Sequence, residues 1–218
     1  MSYSENELKA RLYLAELITT RLCHDLAGPI GAFNNGVELL EEGGEDMAAQ
    51  AVELLAMSAR EAKAKLQLFR IAFGVVNYQG TANPEEMRQI LEQYFEHSKV
   101  KLDWQMPDDA TLLTTELRRM AGCMTLVVAS SLLVGGTLRV SAQKAPGHIQ
   151  MEIYGEGSKV RHDEEVLGIL AHAATPEQSS SRAVPAHLLR YFAQNARATL
   201  ALEHGTNFLK INLVLPTT

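Results

Sequence analysis

From Asn6 to Glu42 the chain repeats apolar or small side chains at steps of three and four. Leu8, Leu12, Ala15, Thr19, Leu22, Leu26, Ile30, Phe33, Val37 and Leu40 form the series. That spacing predicts one long helix with a continuous stripe along it. The polar run Glu41–Asp46, with Gly43 and Gly44 inside it, predicts a short turn. A second series, Val52, Leu55, Ala59, Ala62, Leu66, Phe69 and Phe73, predicts a helix from Met47 to Val76 with these residues facing inward. It stops at Asn77-Tyr78-Gln79-Gly80. Two long helices joined by a short turn make an antiparallel hairpin.

Beyond residue 80 the pattern changes. Asn83-Pro84-Glu85-Glu86 reads as a cap with proline at the first helical position, opening a helix to His97. Val100–Met106 alternates as a strand. Thr115–Leu133 reads as a helix, and Thr137–Gln143 and His148–Tyr154 as strands. Arg161–Ala171 and Pro185–Ala196 read as helices. Ala198–Glu203 and Asn207–Leu215 form a closing hairpin. The expected fold class is α+β. The helical hairpin spans 1–79, and 80–218 forms a mostly antiparallel sheet with helices on one face, an α/β sandwich.

The hairpin alone has little capacity to bury both of its helices. Leu39 on the first helix and Leu54, Met57, Leu68 and Ile71 on the second are apolar outside the main stripes. This predicts a homodimer in which two hairpins share a four-helix bundle. The competing arrangement packs the hairpin against its own C-terminal region.

Composition narrows the function classes. Lys and Arg number 20 against 26 Asp and Glu, a net charge of -6, so no nucleic-acid partner is expected. Cys23 and Cys123 form no metal-ligand spacing. The N-terminus lacks a leader pattern and the longest apolar run is too short to span a bilayer, so a cytoplasmic, membrane-free protein is expected.

Chemistry centres on Arg21-Leu22-Cys23-His24-Asp25-Leu26-Ala27-Gly28-Pro29. At about 100° per residue, His24 is rotated about 200° from Leu22 and points away from the stripe. Gly28, Gly31 and Asn35 follow on nearly the same face. Glycine inside a helix costs about 0.5–1 kcal/mol against alanine. Pro29 costs about 3 kcal/mol and leaves the Asp25 carbonyl without its helical donor. Such a face gains nothing as plain surface, but it admits another protein's active site close to an imidazole. A neutral imidazole has one unprotonated nitrogen to accept a phosphoryl group, and Asp25 is placed to hold the other.

The segment His24–Leu40, with its His-Asp pair, Pro29 and Asn34-Asn35-Gly36, resembles the acceptor box of dimeric histidine phosphotransferases, most closely the ChpT type. Leu68–Gly74 is similar to that family's second-helix signature. The resemblance spans essentially the whole chain. It implies that His24 is the phosphoacceptor and Asp25 its orienting partner. It implies a phosphoryl donor in the receiver domain of a hybrid histidine kinase, and acceptors in the receivers of downstream response regulators. Partner contacts are expected at Arg21, Gly28, Gly31, Asn35 and Arg70.

The C-terminal region resembles a histidine kinase ATP-binding domain whose boxes have decayed. Met124–Leu133 lacks the asparagine that would hold magnesium. Ile153–Val160 keeps Gly155 and Gly157, expected as turn residues, but no aspartate. Ser179–Ala186 replaces a glycine-rich lid. No intrinsic cofactor, no ATP use and no autokinase activity are expected, with Mg²⁺ supplied by the partner receiver. The alternatives are a non-catalytic adaptor that docks receivers, for which His24 would be dispensable, and an ATP-dependent kinase fragment, which would bind nucleotide.

Overall fold

The computed structural model describes residues 4–74, 83–109, 111–172 and 175–217. Helix α1 (Glu5–Glu42) and helix α2 (Gly44–Phe73) form the hairpin. Ser4 opens α1 with a capping box: its hydroxyl accepts the Glu7 N–H, and the Glu7 carboxylate accepts the Ser4 N–H at 2.8 Å. The turn is tighter than the polar run predicts. Gly43 alone separates the helices, because Gly44 takes φ +65° and reverses the chain there. The predicted end of α2 at Val76, its stop signal and the boundary at 79 lie outside the described residues.

The rest follows as α3 (Pro84–Phe95), β1 (Val100–Trp104), α4 (Thr115–Ser131), β2 (Gly136–Ala145) and β3 (His148–Glu156). Then come α5 (Glu164–Ala171), α6 (Val184–Asn195), β4 (Thr199–Gly205) and β5 (Phe208–Pro216). The cap at α3 is as predicted, with Asn83 Oδ1 accepting the Glu85 N–H at 2.9 Å. The strands form one sheet in the order β1-β2-β3-β5-β4. Strand β1 runs parallel to β2, with α4 as the crossover that a parallel pair requires, and the other pairings are antiparallel. Alternation then sets one face into the core: Leu138 and Val140 from β2, Ile149, Met151 and Ile153 from β3, Leu209, Ile211 and Leu213 from β5.

Helix α4 is buried along most of its length because the sheet, α6 and α2 all pack against it. Gly122 permits the contact with α2: a Cβ there would lie 3.1 Å from Ile71 Cγ2 and 3.2 Å from Ala72 Cβ. Leu68 and Ile71 are therefore buried within their own chain. The expectation that they belong to a hairpin-to-hairpin core is corrected, because their side of α2 faces α4. Gly155 is corrected too. It lies inside β3 rather than in a turn, where a Cβ would meet Val128 Cγ1 at 2.5 Å, so glycine is what lets α4 approach the sheet.

Much of the main stripe of α1 is left open, although Leu22, Leu26 and Val37 are half-buried. Leu12 is 61% exposed and Ile30 54%, and Leu8, Phe33 and Leu40 are exposed with them. Val52 (57%) and Leu66 continue the open apolar face on α2. Helix α1 meets α2 closely at buried Gly36, opposite Leu55 and Ala51. No described helix is long and apolar enough to cross a membrane.

Candidate active site: the His24 face of α1

One helical turn builds the site. Arg21 and Asp25 are four residues apart, so they stack on one side of α1, and Arg21 Nε donates to Asp25 Oδ2 at 2.5 Å. Both side chains are sheltered, at 13% and 16% exposure. His24 stands beside them at 82% exposure, with Nδ1 3.0 Å from Asp25 Oδ1. A carboxylate only accepts, so Nδ1 is the donor, and in the neutral imidazole Nε2 then keeps the lone pair. The carboxylate is thus shared between a guanidinium and an imidazole. The carboxylate beside His24 is itself held by Arg21.

Position 28 and position 31 are open as the sequence predicts. A Cβ at either would meet nothing within 4 Å. Gly28, Gly31 and Asn35 are all exposed along the line from His24. Arg70 is exposed on α2 and lines neither of the clefts beside His24. The structure therefore joins Arg21, His24 and Asp25 into one array, sets three small or polar positions beside it, and leaves Arg70 apart.

Two clefts flank α1 here. One, of about 280 Å³, is lined by His24, Asp25 and Arg21 and, from the C-terminal region, by Leu133, Arg161 and Arg182. The other, of about 380 Å³, includes Arg21, Lys65, Tyr94, Lys99 and Leu133. Burial, with the Asp25 charge adding to it, pushes the Tyr94 hydroxyl up to about 12, so it stays a neutral donor. Leu133 itself is 62% exposed at the turn after α4, and Val134 is exposed beside it.

Lys65, Arg161, Arg182 and Leu133 escape the sequence reading. Lys65 had one signal: the carbonyl that Pro29 orphans needs a donor, and Lys65 Nζ donates to it at 3.1 Å. The two arginines and Leu133 had none, since only the fold brings them beside His24. Among the described residues there is no group of three or more His, Cys, Asp or Glu able to hold a metal ion.

Comparison with known proteins identifies the family. The family model for the histidine phosphotransferase C-terminal domain matches residues 84–207. Protein phosphotransferase ChpT of Brucella abortus (strain 2308) is 31% identical over 196 residues, covering 89% of this chain and 91% of the relative. A solved bacterial phosphotransferase superposes with a TM-score of 0.78 at 28% identity, covering 98% of each chain. The catalytic domain of histidine kinase ThkA aligns at a TM-score of 0.46 and 8% identity, over 61% of this chain and 88% of that one. On the family match and the Brucella alignment, this protein belongs to the ChpT-type histidine phosphotransferases, which carry phosphoryl groups between proteins on histidine.

Proposed function

We propose that His24 is the residue that carries the phosphoryl group, taking it from a receiver phosphoaspartate and passing it to the aspartate of a second receiver. The observation that supports this most directly is the pairing of an 82% exposed imidazole with a sheltered carboxylate on its Nδ1. Nε2 attacks phosphorus as the P–O bond to the donor aspartate breaks, and the aspartate leaves as a carboxylate. The imidazole becomes cationic, and Asp25 stabilises the Nδ1–H that carries the new charge. In the return step an acceptor carboxylate attacks phosphorus, the N–P bond breaks, and Nε2 regains its lone pair. No proton is gained or lost over the cycle. The donor is the receiver of a hybrid kinase and the acceptors are response regulators. The Mg²⁺ that neutralises the phosphoryl oxygens comes with the receiver.

The open faces fit this role. Gly28, Gly31 and Asn35 keep the approach to Nε2 flat, and Arg21 serves through Asp25. The exposed stripe of Leu12, Ile30, Phe33 and Val52 is the seam of a homodimer, where a second copy supplies the missing half of a four-helix bundle. The transfer as written needs no ATP, because the receiver phosphoaspartate is itself the phosphoryl donor.

The test is transfer of label from a radiolabelled phospho-receiver. Acid-labile, base-stable label should appear on the native protein and be absent from His24→Gln. Labelling of the variant at the native rate would refute the assignment.

A further inference from the structure

Helix α1 runs without interruption across Pro29, yet its hydrogen-bond ladder cannot. Proline has no N–H, so the carbonyl four residues back, that of Asp25, has no donor within its own helix. The replacement comes from the other helix: Lys65 Nζ donates to the Asp25 carbonyl at 3.1 Å. Glu61, one turn earlier on α2, holds the same ammonium at 2.7 Å. The Lys65 side chain is only 24% exposed, so the bond forms in a partly sheltered place where it is worth more than on open surface.

The carbonyl belongs to the residue that orients the acceptor. The Asp25 carboxylate bridges Arg21 Nε and His24 Nδ1, while its backbone is tied to α2 by Lys65. We propose that Lys65 is a positioning residue for phosphoryl transfer. It fixes the backbone at the gap that Pro29 leaves, and through that backbone the Asp25 carboxylate and the His24 imidazole. With an ordinary residue at 29, α1 would hold Asp25 by itself. With proline there, the aim of Nε2 depends on where α2 stands. This inference rests on the reading of His24 as the acceptor.

The experiment pairs Lys65→Met, which keeps the aliphatic stem and loses the donor, with Pro29→Ala, which gives position 29 an N–H for the Asp25 carbonyl. Transfer is followed at saturating phospho-receiver, and labelling is also driven by phosphoramidate, a small donor that needs no protein docking. Lys65→Met should slow both by about tenfold, leaving the half-saturating receiver concentration unchanged. In the Pro29→Ala background the same substitution should cost less than about twofold, because the helix then supplies its own bond. An equal loss in both backgrounds, or a loss confined to the half-saturating concentration, would overturn the proposal. His24→Gln is run alongside. Label surviving on it would refute the acceptor assignment itself, a result separate from the Lys65 comparison.

Discussion

Gly36 sits where α1 touches α2, so close that a Cβ on it would come within 2.8 Å of Leu55 Cγ and 3.4 Å of the Ala51 carbonyl. Gly28 and Gly31, in the same helix, would meet nothing within 4 Å. The three glycines should therefore respond to alanine in opposite ways. Gly28→Ala and Gly31→Ala remove a helix-breaking residue from an open face and should each stabilise by about 0.5–1 kcal/mol. Gly36→Ala has the same propensity gain but must push Leu55 aside, an overpacking cost of about 1–3 kcal/mol, and should come out destabilising. Urea unfolding reads both signs. Receiver-dependent transfer should slow in Gly28→Ala, whose stability rises, because the added methyl stands where the receiver approaches His24.

The Asp25 carboxylate is the second lever. Asp25→Asn keeps the size of the side chain and removes its charge, so the cationic phosphoimidazole loses its counterion and Arg21 loses its anion. Transfer at saturating phospho-receiver should fall by about ten- to a hundredfold. The half-saturating concentration should move little, because the side chain is sheltered from the partner. Rapid-quench single turnovers separate the two quantities.

The contrast between Leu66 and Leu68 shows what was legible in the chain and what was not. Period alone places both on a helix, and the helices, strands and caps follow from such local patterns. It does not say what covers a face: Leu66 is exposed and Leu68 is buried under α4. His24, Asp25, Gly28 and Pro29 could be read together because one helical turn carries their geometry. Lys65, Arg161, Arg182 and Leu133 reach the same place from α2, from the segment before α5, from the approach to α6 and from the turn after α4. Only packing brings them there. Pro29 announced that a donor was needed without naming it.

Leu133 gives a prediction about docking that leaves the chemistry alone. It is 62% exposed and lines both clefts beside His24, with Arg161 and Arg182 on one side and Lys99 on the other. A phosphoaspartate pocket is acidic and rimmed by apolar surface, so this edge complements it. Leu133→Asp should raise the half-saturating phospho-receiver concentration by about tenfold, the size typical of losing an exposed apolar anchor. Labelling of His24 by phosphoramidate should be unchanged. Equal slowing of both reactions would place the effect in the fold.

His187 links stability to pH. It is buried on α6 with Nε2 2.8 Å from Ser179 Oγ, and burial holds its imidazole below the ordinary 6.5, while Glu165 and Glu177 pull weakly the other way. The folded chain therefore refuses a proton that the unfolded chain accepts. Stability is full above 6.5 and is lost as pH falls from there toward the lowered folded value, beyond which the loss levels off. Urea unfolding at about pH 7.5 and about pH 5.5 should show a larger drop for the native protein than for His187→Gln, which has no proton to take up. Equal drops would remove His187 from the account.

The last prediction concerns the open apolar seam. Leu12, Ile30, Phe33 and Val52 are all exposed on the hairpin. Burying a side chain of this size is worth about 1.5–3 kcal/mol, and a two-fold interface buries each residue twice. A charge in the middle of that seam would be buried there without a partner. Ile30→Glu should therefore convert the proposed dimer to a monomer in sedimentation equilibrium. The core that the sheet and its helices share with Leu68 and Ile71 does not include the seam residues, so the chain should stay folded. Phosphoramidate should still label His24 in the monomer, since the Arg21–Asp25–His24 array and Lys65 all come from one chain. A native protein that sediments as a monomer would show that the stripe is covered by something other than a second copy.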